Sequence, residues 1–201
     1  MRPQRSAFML VLAILVTVLP RTAAAHRLDE YLQAVRISIE IDRVVTEINL
    51  TPGTAVAEDV LAGIDKNHDG SISPAEGAAY GEHVVRSLHL EIDGRPLALS
   101  LESHRMPPPA EMRRGEGILR LRAAAAAPPA SAGRHRLMFA NTHRSDISAY
   151  LINALIPSDP RIRITGQSRD TLQHEFSMDY TVSAPDSGVG RTWLERLIGP
   201  R

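Results

Sequence analysis

The sequence predicts a mainly β fold of the α+β class: an antiparallel β-sandwich with one helix–loop–helix unit inserted. Three observations predict it. Short runs of alternating apolar and polar residues recur along the chain, the pattern of strands with one buried face. Turn-forming pairs such as Asp93-Gly94 separate them. One stretch, 54–87, breaks the period of two and carries apolar residues at helical spacing. Hydrophobic content of 43% and charged content of 23% are ordinary for a globular chain. They exclude disorder and a membrane bundle.

The first 25 residues read as an export signal. Arg2 and Arg5 form a charged start, Phe8 to Leu19 an apolar run, and Ala23-Ala24-Ala25 a cleavage site. The exported chain is then expected to begin at His26, periplasmic or extracellular. Its one domain would span 26–183. Loss of Arg2, Arg5 and Arg21 leaves 20 basic against 23 acidic residues, a balance that argues against nucleic-acid binding. The absence of cysteine excludes disulfides, thiolate metal sites and cysteine nucleophiles.

Val35, Ile37, Ile39 and Ile41 alternate with polar residues, and so do Val44, Thr46, Ile48 and Leu50 after the turn at Asp42-Arg43. These predict a hairpin. Thr51-Pro52-Gly53 ends it, and Thr54 with Glu58 and Asp59 marks a helix start. Val56, Val60, Leu61 and Ile64 share one helical face. After residue 73, Pro74 suits the first helical position, and Ala78, Ala79, Val84 and Val85 continue a second helix to about Ser87.

Alternation resumes with Leu88, Leu90 and Ile92, which are expected to return through Leu97, Leu99 and Leu101. Met106-Pro107-Pro108-Pro109 reads as a stiff connection. Leu119 and Leu121 are expected to pair with Leu137 and Phe139 as a hairpin from Gly117 to Asn141. Ala123 to Gly133 would form its low-complexity loop. Tyr150 to Ile156 and Ile162 with Ile164 suggest two further strands. Leu172 to Val182 gives the longest alternation. The sum is seven to nine strands in an immunoglobulin-like or similar sandwich. The tail 184–201, with Trp193, Leu194, Leu197 and Ile198 among arginines, reads as a linker and a short amphipathic segment. It would pack on the sandwich or dock on a protein partner or membrane surface.

The loop between the two helices carries the chemistry. Asp65, Asn67 and Asp69 alternate, so their oxygens return to one centre. Ser71 would add its backbone carbonyl, Ser73 an oxygen directly or through water, and Glu76 two oxygens at once. Gly70 stands where a Cβ is expected to clash, and Ile72 would pin the loop to a core. This set resembles the EF-hand calcium loop, matching D-x-[DN]-x-[DN]-G-x₅-E at each specified position. The resemblance implies Ca²⁺ held by Asp65, Asn67, Asp69, Ser71, Ser73 and Glu76. Three acidic ligands and no second such loop imply an affinity on the order of 10⁻⁴ M or weaker. That suits a compartment with millimolar calcium. The exported portion as a whole, through Arg27 to Gln33 and Tyr150 to Pro157, also resembles exported bacterial proteins with one such loop.

Two of these features have a reading without an ion. Ser73-Pro74-Ala75-Glu76 is also a capping box, and Asp69-Gly70 an ordinary turn. Other chemistry is thinner. His26, carrying a free amine after processing, is a candidate copper ligand with His104, His135, His143 or His174. Arg120 and Arg122 are expected across from Arg134 and Arg136, as an anion-binding face or a solvated one. Thr142-His143-Arg144-Ser145-Asp146 gathers a histidine, a serine and an aspartate, but neighbours in sequence rarely face one another as a triad requires. No catalytic motif is present. The expectation is an exported calcium-binding protein with a structural or interaction role, not an enzyme. The alternative is an accessory soluble domain of a membrane transporter or envelope assembly.

Overall fold

The computed structural model describes residues 29–128 and 130–184. The expected signal segment 1–25, His26 and the Trp193 tail lie outside the described residues.

Ten strands form two five-stranded sheets. The first has the order β5-β6-β2-β1-β8, from Ser100–Arg105, Leu119–Ala126, Arg43–Pro52, Tyr31–Ile39 and Ser148–Ala154. The second has the order β4-β3-β7-β10-β9, from Arg95–Pro96, Leu88–Ile92, Gly133–Asn141, Glu175–Val182 and Ile162–Arg169. All pairings are antiparallel except β1 with β8. Three helices complete the described fold: α1 (Ala57–Ile64), α2 (Pro74–Arg86) and α3 (Pro109–Arg113).

The expected hairpin at Asp42-Arg43 forms, with Val35 opposite Ile48 and Ile37 opposite Thr46. Its inward set, Tyr31, Val35, Ile37 and Ile39, is 0–2% exposed. Burying an aliphatic or aromatic side chain of this size contributes about 1.5–3 kcal/mol, so register here is strongly held. A one-residue slip would turn the whole set to solvent. Asp93 and Gly94 make the predicted tight turn, both at positive φ (52° and 73°), as a two-residue hairpin loop of the primed type needs.

Several expectations are corrected. The return arm after Asp93-Gly94 is only Arg95–Pro96; the chain then crosses to the other sheet, where β5 pairs with β6. β6 and β7 do not form a hairpin. Each belongs to a different sheet, β6 beside β2 and β7 between β3 and β10. The alanine run is not all loop either: Ala123 and Ala125 are buried in β6, opposite Thr46 and Val44. Leu172 is 71% exposed and lies in the turn before β10. There Asp170 accepts from the backbone N–H groups of Leu172 and Glu175. The prolines at 107–109 lead into α3, whose Met112 is fully buried.

The helical unit lies between β2 and β3, as expected, but α1 begins at Ala57 with Val56 as its N-cap and no side-chain cap bond, not at Thr54. Its apolar face, Ala57, Val60, Leu61 and Ile64, is buried. α2 rides close on β5: a Cβ at Gly81 would stand 2.8 Å from Leu101, and one at Gly77 2.9 Å from Met106. Ion pairs from α1, Glu58 with Arg113 at the end of α3 and Asp59 with Arg144 in the turn after β7, fasten its outer face.

A candidate metal centre and a buried tyrosine–histidine chain

The loop at 65–76 is folded by its own oxygens. Asp65, 9% exposed at the end of α1, accepts from the N–H groups of Asp69 (3.2 Å) and Gly70 (2.9 Å). Asn67 Oδ1 accepts from Asp69 N at 3.0 Å, and Asp69 Oδ1 from Ser71 N at 2.8 Å. Asn67 Nδ2 donates to Asp69 Oδ2 at 2.9 Å. Gly70 has φ +82°, yet nothing lies within 4 Å of where its Cβ would stand. The need for glycine is therefore the left-handed backbone itself, not a crowding neighbour. Ile72 packs against the core, as expected.

Glu76 is the most engaged of these groups. Its Oε2 accepts from Ser73 N (3.0 Å) and Ser73 Oγ (2.7 Å), and its Oε1 from Lys66 N (2.9 Å) and Asn67 N (3.3 Å). The Ser73 bonds, and then those from Asn67 and Lys66, hold its carboxyl down at about 2. Ser73 Oγ in turn accepts from Glu76 N, so the capping box at the start of α2 is complete. Ser73 and Glu76 thus already have a use without an ion. Among the described residues no three histidine, aspartate or glutamate side chains converge as a metal-holding group.

The donor set nevertheless suits a hard cation. It is all oxygen, with three carboxylates, an amide, a hydroxyl and a carbonyl, and hard cations take oxygen ligands. A carboxylate offers about four lone-pair directions. Asp65 and Asp69 each use two of theirs, whereas Glu76 uses all four. Turning both Glu76 oxygens to an ion would require it to release the Lys66 and Asn67 amides.

A second cluster lies beneath the same helices. Tyr31 OH and Tyr80 OH are 2.9 Å apart, and Tyr80 OH is 3.1 Å from His143 Nε2. Tyr31 is 0%, Tyr80 7% and His143 2% exposed. Burial pushes the Tyr80 hydroxyl up to about 12. Burial, then the nearby His83 and Arg144, pulls His143 down to about 4, so its ring is neutral at pH 7. The His143 backbone is also pinned. Its carbonyl accepts from Gln33 Nε2 (2.7 Å) and Tyr150 OH (3.0 Å), and its N–H donates to Asn141 Oδ1. Asn141 Nδ2 donates to Gln33 Oε1, joining β7 to β1 across the sandwich.

The expected copper site rests on His26 and so lies outside the described residues, while the other candidate clusters do not assemble. His143 bonds Tyr80 and Asp146 bonds Arg144, so the 142–146 cluster is no triad. Arg122 pairs with Glu47 and Glu102, and Arg136 with Asp179. The two arginine pairs lie on different sheets and form no shared face. His135 and His174 bond Asp93 and Asp170. No helix among the described residues is long and apolar enough to cross a membrane. Fold and loop together define a β-sandwich protein with an inserted helix–loop–helix that presents an oxygen-donor loop. No protein-family model matches the chain, and no curated protein matches it.

Proposed function

We propose that residues 65–76 hold one Ca²⁺ ion as an EF-hand loop does, in an exported protein whose role is structural or interactive and not enzymatic. The ion would join the end of α1, at Asp65, to the start of α2, at Glu76, and so brace the helical unit on the sandwich. The supporting observation is the loop itself. Its backbone is already turned, with His68 at φ 58° and Gly70 at φ 82°. Its two arms are tied by Glu76 bonding both Ser73 and Lys66. An ion therefore meets a wrapped loop and not a free chain, which lowers the ordering cost of binding.

The test is calcium titration calorimetry with paired melting curves, on wild type and Glu76→Gln. Glutamine keeps an acceptor for the capping box but loses the charge. Wild type is expected to show one site, and at ten times Kd the ion adds about 1.4 kcal/mol of stability. Glu76→Gln is expected to lose most of the affinity; it should also melt below wild type in chelator, because its Nε2 cannot accept the Lys66 and Asn67 N–H groups, so the calcium-dependent shift is read for each protein against its own chelator curve. No heat and no shift in wild type would leave the loop a capped turn.

A further inference from the structure

A cleft of about 500 Å³ opens between α1 and α2. Val60, Ile64 and Ala79 line it, and His143 borders it. The volume is that of a small-molecule site.

Hydrogen-bond polarity fixes what His143 offers there. Tyr31 OH is fully buried and, among the described residues, its only partner is Tyr80 OH. A buried hydroxyl proton without an acceptor is costly, so Tyr31 donates to Tyr80. Tyr80 must then donate onward to His143 Nε2. A neutral imidazole with Nε2 as acceptor carries its proton on Nδ1. Among the described residues no group bonds Nδ1. Among the described residues only Arg43 Nε is both fully covered and unpartnered, so Nδ1 is not wholly covered although His143 is only 2% exposed, and the cleft is the space His143 lines.

The charge around the cleft has one sign to spare. Lys66 reaches only the Ala62 carbonyl, at 3.5 Å. Arg86 stands 3.9 Å from Glu82, whereas Arg144, also on the lining, is neutralised by Asp59 and Asp146. The single lining carboxylate, Glu76, is consumed by four donors.

We propose that the α1–α2 cleft binds a small monocarboxylate with an apolar body. Its carboxylate accepts the Nδ1–H of His143 under the field of Lys66 and Arg86, and its body lies on Ala75 and Ala79, with the buried Val60 and Ile64 at the cleft floor. The site requires no metal ion.

The experiment uses the full chain in chelator at pH 7, with ¹⁵N-labelled histidine. It titrates 4-phenylbutyrate against the uncharged 4-phenylbutanol. The acid is expected to bind about tenfold or more tightly than the alcohol, since hydrogen bonds to charged groups are the strong ones. It should shift the Nδ1–H signal of His143. Ala79→Trp, at an exposed position, fills the cleft without touching the core and is expected to abolish binding. His143→Phe keeps a ring but loses the Nδ1–H, and should shrink the acid's advantage over the alcohol to what Lys66 and Arg86 alone supply. Equal binding by wild type, no saturation, an unmoved His143 signal or binding that survives Ala79→Trp would each overturn the proposal. Because chelator is present, none of these outcomes bears on the calcium loop.

Discussion

Removing one oxygen atom from Tyr80 tests the direction of the buried chain. Tyr80→Phe leaves the Tyr31 hydroxyl, 0% exposed, with no acceptor, and His143 Nε2 with no donor. Each buried unsatisfied group costs about 1–3 kcal/mol, so a loss of roughly 2–4 kcal/mol is expected once some relaxation is allowed. Tyr31→Phe is the contrasting change. It removes the terminal donor, yet Tyr80 still donates to His143, and the expected loss is about 1 kcal/mol, the net worth of one hydrogen bond. The double variant has no orphaned Tyr31 hydroxyl, so it should be more stable than the two single losses added together. Urea unfolding with linear extrapolation measures all three, and an unchanged slope confirms that stability alone has moved. Tyr31→Phe costing as much as Tyr80→Phe, or strict additivity, would refute the assigned polarity and with it the Nδ1–H of His143.

Acidification is expected to weaken the fold through His143. Its folded pKa is about 4, below the unfolded 6.5, so the unfolded chain binds more protons between those values. Stability is full above pH 6.5 and falls by about 3 kcal/mol as pH drops to 4; melting temperature against pH reads it, and His143→Phe should flatten that fall. His135 acts oppositely. The Asp93 carboxylate raises it, so its contribution is present below pH 6.5 and is lost as pH rises through the raised value. Asp93→Asn should remove that alkaline-side loss. Gly70→Ala is expected to cost about 1–2 kcal/mol, because φ +82° is left-handed and no neighbour obstructs the new Cβ; thermal melting in chelator checks it. A neutral result would mean that the turn relaxes freely.

The strands with clean alternation were legible, because period and burial coincide: every second residue from Tyr31 to Ile39 is buried. Connections were less so. Two neighbouring alternating runs look like a hairpin whether they pair or sit in opposite sheets, since both present one apolar face. That is why β6 and β7 were joined wrongly. Ala123 and Ala125 read as low complexity, because alanine marks a strand only when a partner such as β2 is known. The loop was legible as an oxygen-rich turn because its oxygen-bearing side chains lie within twelve residues. The Tyr31–Tyr80–His143 chain was not, since its members come from β1, α2 and the segment after β7. One signal was available. Gln33 occupies an inward position of an otherwise apolar strand face, and a polar residue there demands a buried partner. Tyr80 also stands one turn from Val84 on the buried face of α2.

The loop and the cleft share Lys66 and Glu76. An ion that draws both Glu76 oxygens to itself takes Oε1 from the Lys66 and Asn67 amides and so frees the backbone beside one wall of the cleft. It also withdraws a carboxylate from the edge where the ligand's own carboxylate would lie. Both changes favour an anion. Linkage then requires the converse, that a bound carboxylate raises calcium affinity by the same factor. The helices themselves have little freedom to absorb the change. The glycine face of α2 sits within contact distance of β5, and Arg144 and Arg113 fasten α1 at its outer face. Communication would therefore pass through the rotation of one glutamate side chain and the two amides it holds, over a few ångströms, and not through a swing of the helix pair.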